Sequence, residues 1–215
     1  MLARLLFLSA CVTSGLRPEV IDRIAVTLDN QIITESEVMR EIRLSAFLNG
    51  DSLDFSPEAR RKAAGRLVEQ KMIGREIELA RYLEPGKDEV EAMLKQIQTQ
   101  RFRDAEDYRQ SLEKCGISEH DLMAHLLWQL ALLHFIDARF RPGVQVSDEE
   151  VREYFDNERS RLKETADPRK EPMFEDVRDQ IRETLANQRV DQELDDWLAA
   201  TRKRTRIVFH PEAFQ

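Results

Sequence analysis

Both ends of the chain carry β-strand patterns, and the long stretch between them does not. Near the start, IDRIAVTLDNQIITESEV alternates apolar residues with smaller ones, and Asp29-Asn30 favours a tight hairpin turn. The chain closes with TRIVFH, in which Ile207 and Phe209 share one face of a short strand. A lone strand leaves backbone groups unpaired, and the hairpin is the only other predicted β-structure. We therefore expect the two ends of the chain to meet in one sheet.

The stretch between these strands shows helical periodicity and repeated capping signals. The signals predict helix starts at Thr34, Ser56, Asp104, Ser118 and Ser147. We expect the second helix to end at EPG, residues 84–86, and the helix from Asp104 to end at Gly116. Seven glycines and seven prolines in 215 residues are few for a protein with many sheet turns. The expected fold class is mainly α: a multi-helix domain with a small antiparallel sheet formed by an N-terminal hairpin and the C-terminal strand.

The helix predicted from Ser118, EHDLMAHLLWQLALLHFIDARF, is apolar almost all round. Its residues Asp121, His125 and Gln129 form a narrow polar stripe at i, i+4 and i+8. Such a helix is typically the buried centre of its domain, and the polar residues within it argue against a membrane span. We therefore expect this helix to lie at the buried centre of the domain.

The charge of the chain argues against nucleic-acid binding. The formal net charge is −8, whereas phosphate backbones are bound by Lys and Arg. KCGISEHDLMAHLLWQL has the outline of a helix–turn–helix, but no cation occurs from Gly116 to Ile136, so a recognition helix would lack its usual contacts. The basic run RKRTR, residues 202–206, fits the C-terminal end of a helix, where cations suit the dipole.

The first residues have the pattern of an export signal. MLARLLFLSAC places Arg4 before an apolar run and small residues, which is typical of a secretory leader, here residues 1–15. LSAC also resembles a bacterial lipobox, in which Cys11 would be lipidated. The pattern predicts a periplasmic protein, anchored to the outer membrane if Cys11 carries lipid; the alternative is that the apolar start is a frayed strand. Cys115, the other cysteine, is expected to be a small core residue.

No pattern in the sequence indicates catalysis, a metal or a cofactor. The four histidines are His120, His125, His134 and His210, and no two of them stand at i, i+4 on a helix. The sequence has no glycine-rich phosphate loop and no nucleophile elbow around a serine. We therefore predict no catalytic residues, no metal site and no cofactor.

Five apolar residues are candidates for contacting a peptide. Flexible methionines can line surfaces that accept varied peptides, which makes Met39 and Met72 candidates. Phe47, Leu48 and Phe55 flank the end of the first predicted helix, where a loop interrupts a polar stretch. The alternative for each of the five is a structural role in the core.

Three stretches together resemble the SurA family of periplasmic chaperones and its parvulin-linked relatives. VIDRIAVTLDNQIITESEVMREI is similar to the strand–turn–strand and helix that open the N-terminal region of that family. VQVSDEEVREYFDNE is similar to the step out of that region. FEDVRDQIRETLANQRVDQELDDWLAATRKRTRIVF is similar to the helix and strand that return to it. The resemblance implies that residues 19–143 form the N-terminal hairpin and the helical chaperone core. It implies that residues 144–215 form a two-helix arm with the proline linker, whose last helix and strand complete that core.

The sequence departs from the family at ETADPRKEP, residues 164–172. Relatives with isomerase activity carry glycine-rich parvulin domains there, but no glycine follows Gly143 in this chain and nine residues cannot hold a domain. The resemblance therefore implies a holdase for unfolded outer-membrane or exported polypeptides, without isomerase activity. Two alternatives stay open: a peptidyl-prolyl isomerase, as relatives are, and a structural lipoprotein subunit of an envelope assembly complex.

Overall fold

A computed structural model describes the backbone of residues 22–163 and 173–215, and the side chains of 22–159 and 173–215. The strands are β1 (Ile24–Leu28), β2 (Gln31–Thr34) and β3 (Ile207–Phe209). The helices are α1 (Glu35–Asn49), α2 (Pro57–Ala80), α3 (Lys87–Arg101), α4 (Ala105–Cys115), α5 (Glu119–Arg139), α6 (Asp148–Lys163) and α7 (Phe174–Arg204). Short 3₁₀ turns follow α5 and β3, at Arg141–Gly143 and Pro211–Phe214. The predicted fold class, mainly helical with one small sheet, is confirmed.

The two ends of the described chain meet in one antiparallel sheet with the order β2-β1-β3. Asp29 turns the hairpin with a positive φ of 46°. Its backbone N–H donates to the Arg206 carbonyl at 2.9 Å, and its carboxylate accepts from the Arg206 N–H at 2.9 Å. The same residue therefore shapes the hairpin turn and holds the C-terminal strand, which confirms that the terminal strand pairs with the hairpin.

The capping signals confirm most of the predicted helix ends. Thr34 and Ser118 form capping boxes, and Gly116 ends α4 in the left-handed region at φ 67°. The predicted end of α2 at residues 84–86 is wrong, because the helix ends at Ala80. Arg81 takes a left-handed φ of 55°, and its N–H bonds to the carbonyls at the helix end. The next residue, Tyr82, then packs edge-on against Phe135 at 5.3 Å between ring centroids, a contact that the local sequence does not reveal.

Three apolar clusters make up the core. The sheet cluster lies between the strands, α1 and α2 and includes the fully buried Val26 and Ile33. The four-helix cluster joins α1, α3, α4 and α5 around Leu122 and Leu126. The aromatic cluster surrounds Phe135 and joins α2, α5 and α7 through the side chains Ile73, Phe140, Val190 and Trp197.

Helix α5 contributes fully buried residues to two of these clusters, although not all of its faces are buried. Leu126 lies in the four-helix cluster and Phe135 in the aromatic cluster. Nine residues separate them, which is about 2.5 helical turns and places them on opposite faces. Leu127, on a face between them, and Leu133, further along the face of Leu126, remain 43% and 53% exposed. The helix is apolar all round because it serves two clusters from opposite sides.

Helix α6 packs antiparallel against the first half of α7. Phe155 meets Phe174 at 5.4 Å between ring centroids, and Arg182 reaches Asp148 at 2.5 Å. Arg189 donates to the Gln145 carbonyl and to Glu150. We call α6 and residues 174–189 the arm, and the rest of the described chain the body. Cys11, the predicted leader and the stretch ETADPRKEP lie outside the described residues.

Candidate functional site

The five candidate peptide-contacting residues do not come together on one surface. Phe47 and Met72 are each only 5% exposed and belong to the four-helix and sheet clusters, and the small accessible part of Met72 borders a separate pocket beside β1 and α7. The half-buried Phe55 packs against the sheet cluster, with the Arg43 guanidinium 5.7 Å from its ring centre. Met39 borders a separate depression beside α1. Leu48 lines a different cleft, whose lining combines apolar and polar side chains.

This cleft lies between α1, α2 and α5 and has a volume of about 310 Å³. Its apolar lining is Leu48, Ile73, Trp128 and Leu132. Its polar lining is Glu41, Ser45, Asn49, Arg66, Glu69, Gln70, His125 and Gln129. A concave site with an apolar lining and a few converging polar groups is the usual form of a ligand-binding pocket. We call it the α1–α2–α5 cleft.

Helical spacing brings each helix's contribution onto one face. Helix α1 presents Glu41, Ser45 and Leu48 at i, i+4 and i+7. Helix α2 presents Arg66, Gln70 and Ile73 with the same spacing, and α5 does so with His125, Gln129 and Leu132. The polar stripe recognised on α5 therefore contributes two of its residues to the cleft. The stripes on α1 and α2 carry the same signal, but sequence analysis missed them because both helices are rich in charged residues.

The floor of the cleft holds Glu41, the one charged side chain classed as buried among the described residues, at 7% exposure. One carboxylate oxygen, Oε1, accepts from the Arg66 Nε–H at 2.8 Å and from the Ser45 hydroxyl at 3.2 Å. Arg66 also donates to the Ser45 oxygen at 3.1 Å. Burying a charge is costly unless it is paired and hydrogen-bonded, and this network supplies both conditions.

His125 completes the floor of the cleft from α5. Its Nδ1 lies 3.9 Å from Glu41 Oε2, too far for a direct hydrogen bond. Burial disfavours the charged imidazolium and lowers the pKa of His125 below its ordinary value; the carboxylate of Glu41 opposes this shift, and the nearby Arg66 cation adds to it. The imidazole is therefore neutral at neutral pH and adds a polar but uncharged group to the lining.

Three lining side chains are amides without a partner. Asn49, Gln70 and Gln129 come from α1, α2 and α5 respectively, and their side chains make no hydrogen bond within the described part of the chain. Each amide offers two donors and one acceptor. The cleft therefore combines apolar surface with hydrogen-bonding groups that the fold itself leaves free.

Large apolar side chains are also exposed elsewhere on the body. Leu79 and Leu83, at the end of α2 and just beyond it, are 73% and 84% exposed. Single exposed leucines are normal on soluble proteins. The free thiol Cys115 is half-buried against the four-helix cluster.

Within the described residues, no cluster of three His, Cys, Asp or Glu side chains has the geometry to hold a metal ion. None of the described helices combines the length and apolar character needed to cross a bilayer. No protein-family model matches this sequence, and no curated protein matches it significantly. The geometry of the site and the sequence patterns are therefore the basis for inferring function.

Proposed function

We propose that this protein is an envelope chaperone that holds unfolded outer-membrane or exported polypeptides in the periplasm, without isomerase activity. The observation that carries the proposal is the α1–α2–α5 cleft. Its lining offers the apolar side chains Leu48, Ile73, Trp128 and Leu132 together with unpartnered amide groups. An unfolded polypeptide presents the same two chemistries, apolar side chains and unpaired backbone groups.

The charge of the protein suits this role. A chaperone that binds aggregation-prone polypeptides must itself stay soluble. The formal net charge of −8 favours solubility because like-charged molecules repel one another. Broad specificity requires contacts that fit many sequences weakly. An open cleft of about 310 Å³, at the small end of ligand pockets, can hold a short piece of a client without enclosing it.

The resemblance to the SurA family supports the same proposal. In that family the N-terminal hairpin and the C-terminal helix and strand belong to one chaperone region, and in this chain β1 pairs with both β2 and β3. The nine residues at 164–172 leave no room for the catalytic domain of isomerase-bearing relatives. The lipobox-like LSAC adds a route by which the protein would be held at the outer membrane.

The proposal is tested by diluting an unfolded outer-membrane β-barrel protein from urea and measuring its aggregation by light scattering. We expect the purified protein to suppress aggregation. Gln129→Trp should weaken suppression because the large ring fills the cleft. The matched control Gln96→Trp adds the same ring to an exposed face of α3, and Leu83→Ser removes the most exposed leucine of the described residues. Both controls should retain activity.

Three results would contradict the proposal. Aggregation that continues at several-fold molar excess of the protein would show that it is not a holdase. Acceleration of prolyl isomerisation in a model peptide would instead favour the enzyme alternative. Stable co-purification with one partner, without binding to unfolded clients, would favour the structural-subunit alternative.

A further inference from the structure

We infer that the α1–α2–α5 cleft binds an extended client polypeptide through its main chain, by hydrogen bonds from Asn49, Gln70 and Gln129. This inference rests on the proposed function and specifies the ligand chemistry of that site. The client's backbone amide groups would pair with the three side-chain amides. The apolar lining would contact whichever client side chains face it.

The first argument is the position of the three amides. They come from three different helices. The tertiary fold therefore brings them to one cleft, and no single sequence motif contains them. Gln70 and Gln129 are half-buried, and their side-chain amides have no hydrogen-bond partner within the described chain. Water can still reach these amides, and a ligand that pairs with them would replace that water with hydrogen bonds of its own.

The second argument is chemical complementarity. A side-chain amide carries both donors and an acceptor, as a peptide group does, and the two can pair in either direction. Such pairing is independent of the client's sequence, because every residue except proline offers one N–H and one C=O. A chaperone with many clients needs this kind of recognition.

The third argument concerns the charges in the cleft. Arg66 is the one cation of the Lys or Arg type in the lining, and its Nε–H and one terminal nitrogen already bond to Glu41 and Ser45. A phosphate or carboxylate ligand would find no free Lys or Arg side chain in the lining and would meet the carboxylates of Glu41 and Glu69. The lining therefore favours a neutral ligand rich in hydrogen-bonding groups, and a peptide main chain fits that description.

The test compares two peptides with the same side chains. One is a fluorescently labelled segment of an unfolded outer-membrane protein; in the other, alternate backbone amides are replaced by esters, which removes N–H donors without adding bulk. Fluorescence anisotropy measures the affinity of each. We expect the ester peptide to bind about twofold to tenfold more weakly for each hydrogen bond lost.

The double variant Gln70→Ala with Gln129→Ala supplies the second arm of the test. It should bind the amide peptide more weakly and should lose most of the preference for amide over ester. The matched control Gln96→Ala with Gln100→Ala changes two exposed glutamines of α3 and should keep the wild-type preference. Circular dichroism verifies that each variant is folded, and the comparison of peptides on the wild-type protein does not depend on any variant.

The outcomes separate this inference from the proposed function. Equal affinity of wild-type protein for the two peptides would overturn main-chain recognition while leaving the chaperone proposal standing. An undiminished preference for amide in the double variant would overturn the role of Gln70 and Gln129. Failure of both peptides to bind would overturn the proposed function and this inference with it.

Discussion

Phe135 in the body and Phe155 in the arm each pack against another aromatic ring, but their surroundings differ. Phe135 is fully buried and meets the rings of Tyr82, Phe140 and Trp197. Phe155 is half-buried and meets the ring of Phe174. The Arg152 guanidinium lies over the Phe174 ring, 4.3 Å from its centre. The aromatic contact of the body therefore lies in a packed apolar interior, whereas that of the arm is half-exposed, although the arm also buries Val151 and Ile181.

Polar contacts differ between the two regions in the same way. In the body, the ion pair of Glu41 with Arg66 lies at the floor of a cleft, where Glu41 is screened from water. In the arm, Arg182 and Arg189 reach Asp148 and Glu150 across an exposed surface. Exposed ion pairs contribute little to stability and are screened by salt. We therefore expect the arm to open more easily than the body unfolds.

The largest expected effect comes from truncating an aromatic ring in the body. Phe135→Ala should lower the free energy of unfolding by about 3–5 kcal/mol, because it removes a large side chain from a fully buried position. Phe155→Ala, the matched change in the arm, should cost about 1 kcal/mol, since its aromatic contact is half-exposed. Urea denaturation followed by circular dichroism measures both. Equal losses would show that the arm is as tightly packed as the body.

Acidification should lower the free energy of unfolding by a smaller amount, and this loss should be confined to the body. The pKa of His125 is lower in the folded protein than its ordinary value of about 6.5. The stability that this neutral imidazole contributes is fully present above about pH 6.5 and is lost as the pH falls through the lowered pKa. The groups that face it are Glu41 on α1 and Arg66 on α2.

The measurement is the free energy of unfolding at several values between about pH 5.5 and pH 8. Wild-type protein should lose stability toward the acid end, and His125→Gln should show a flatter profile. His120→Gln, at an exposed position on the same helix, should follow the wild type. A wild-type profile that stays level, or one that both variants flatten equally, would contradict the assignment. The arm contains no histidine, so its opening should not follow this profile.

The smallest expected effect is that of salt on the opening of the arm. Raising NaCl from about 0.1 M to about 1 M shortens the screening length from about 10 Å to about 3 Å. Amide hydrogen exchange in α6 should then quicken by less than about fivefold, because exposed ion pairs contribute little. Exchange of the buried strand β1 should change less. Arg189→Gln should reproduce part of the salt effect in α6, and a larger response in β1 than in α6 would reverse the comparison between arm and body.

Local sequence signals predicted much of the fold and little of the site. The caps at Thr34 and Ser118 and the left-handed Gly116 are decided within four residues of chain, so sequence patterns locate them well. The pairing of the terminal strand with the hairpin was predictable because a lone strand needs a partner and the sequence offers one. Of the five candidate peptide-contacting residues, Leu48 alone lies in the cleft, because apolar character does not reveal which side of a helix faces solvent.

The sequence by itself determines that this chain is mainly helical, where most helices begin, and that its two ends share a sheet. Those properties follow from capping, periodicity and strand pairing, which act over short stretches or leave a single choice of partner. The tertiary structure decided that α2 ends at Ala80, that α5 serves two clusters, and that Glu41 is buried between Arg66 and His125. These features join residues from different helices, and they exist only after the helices have packed.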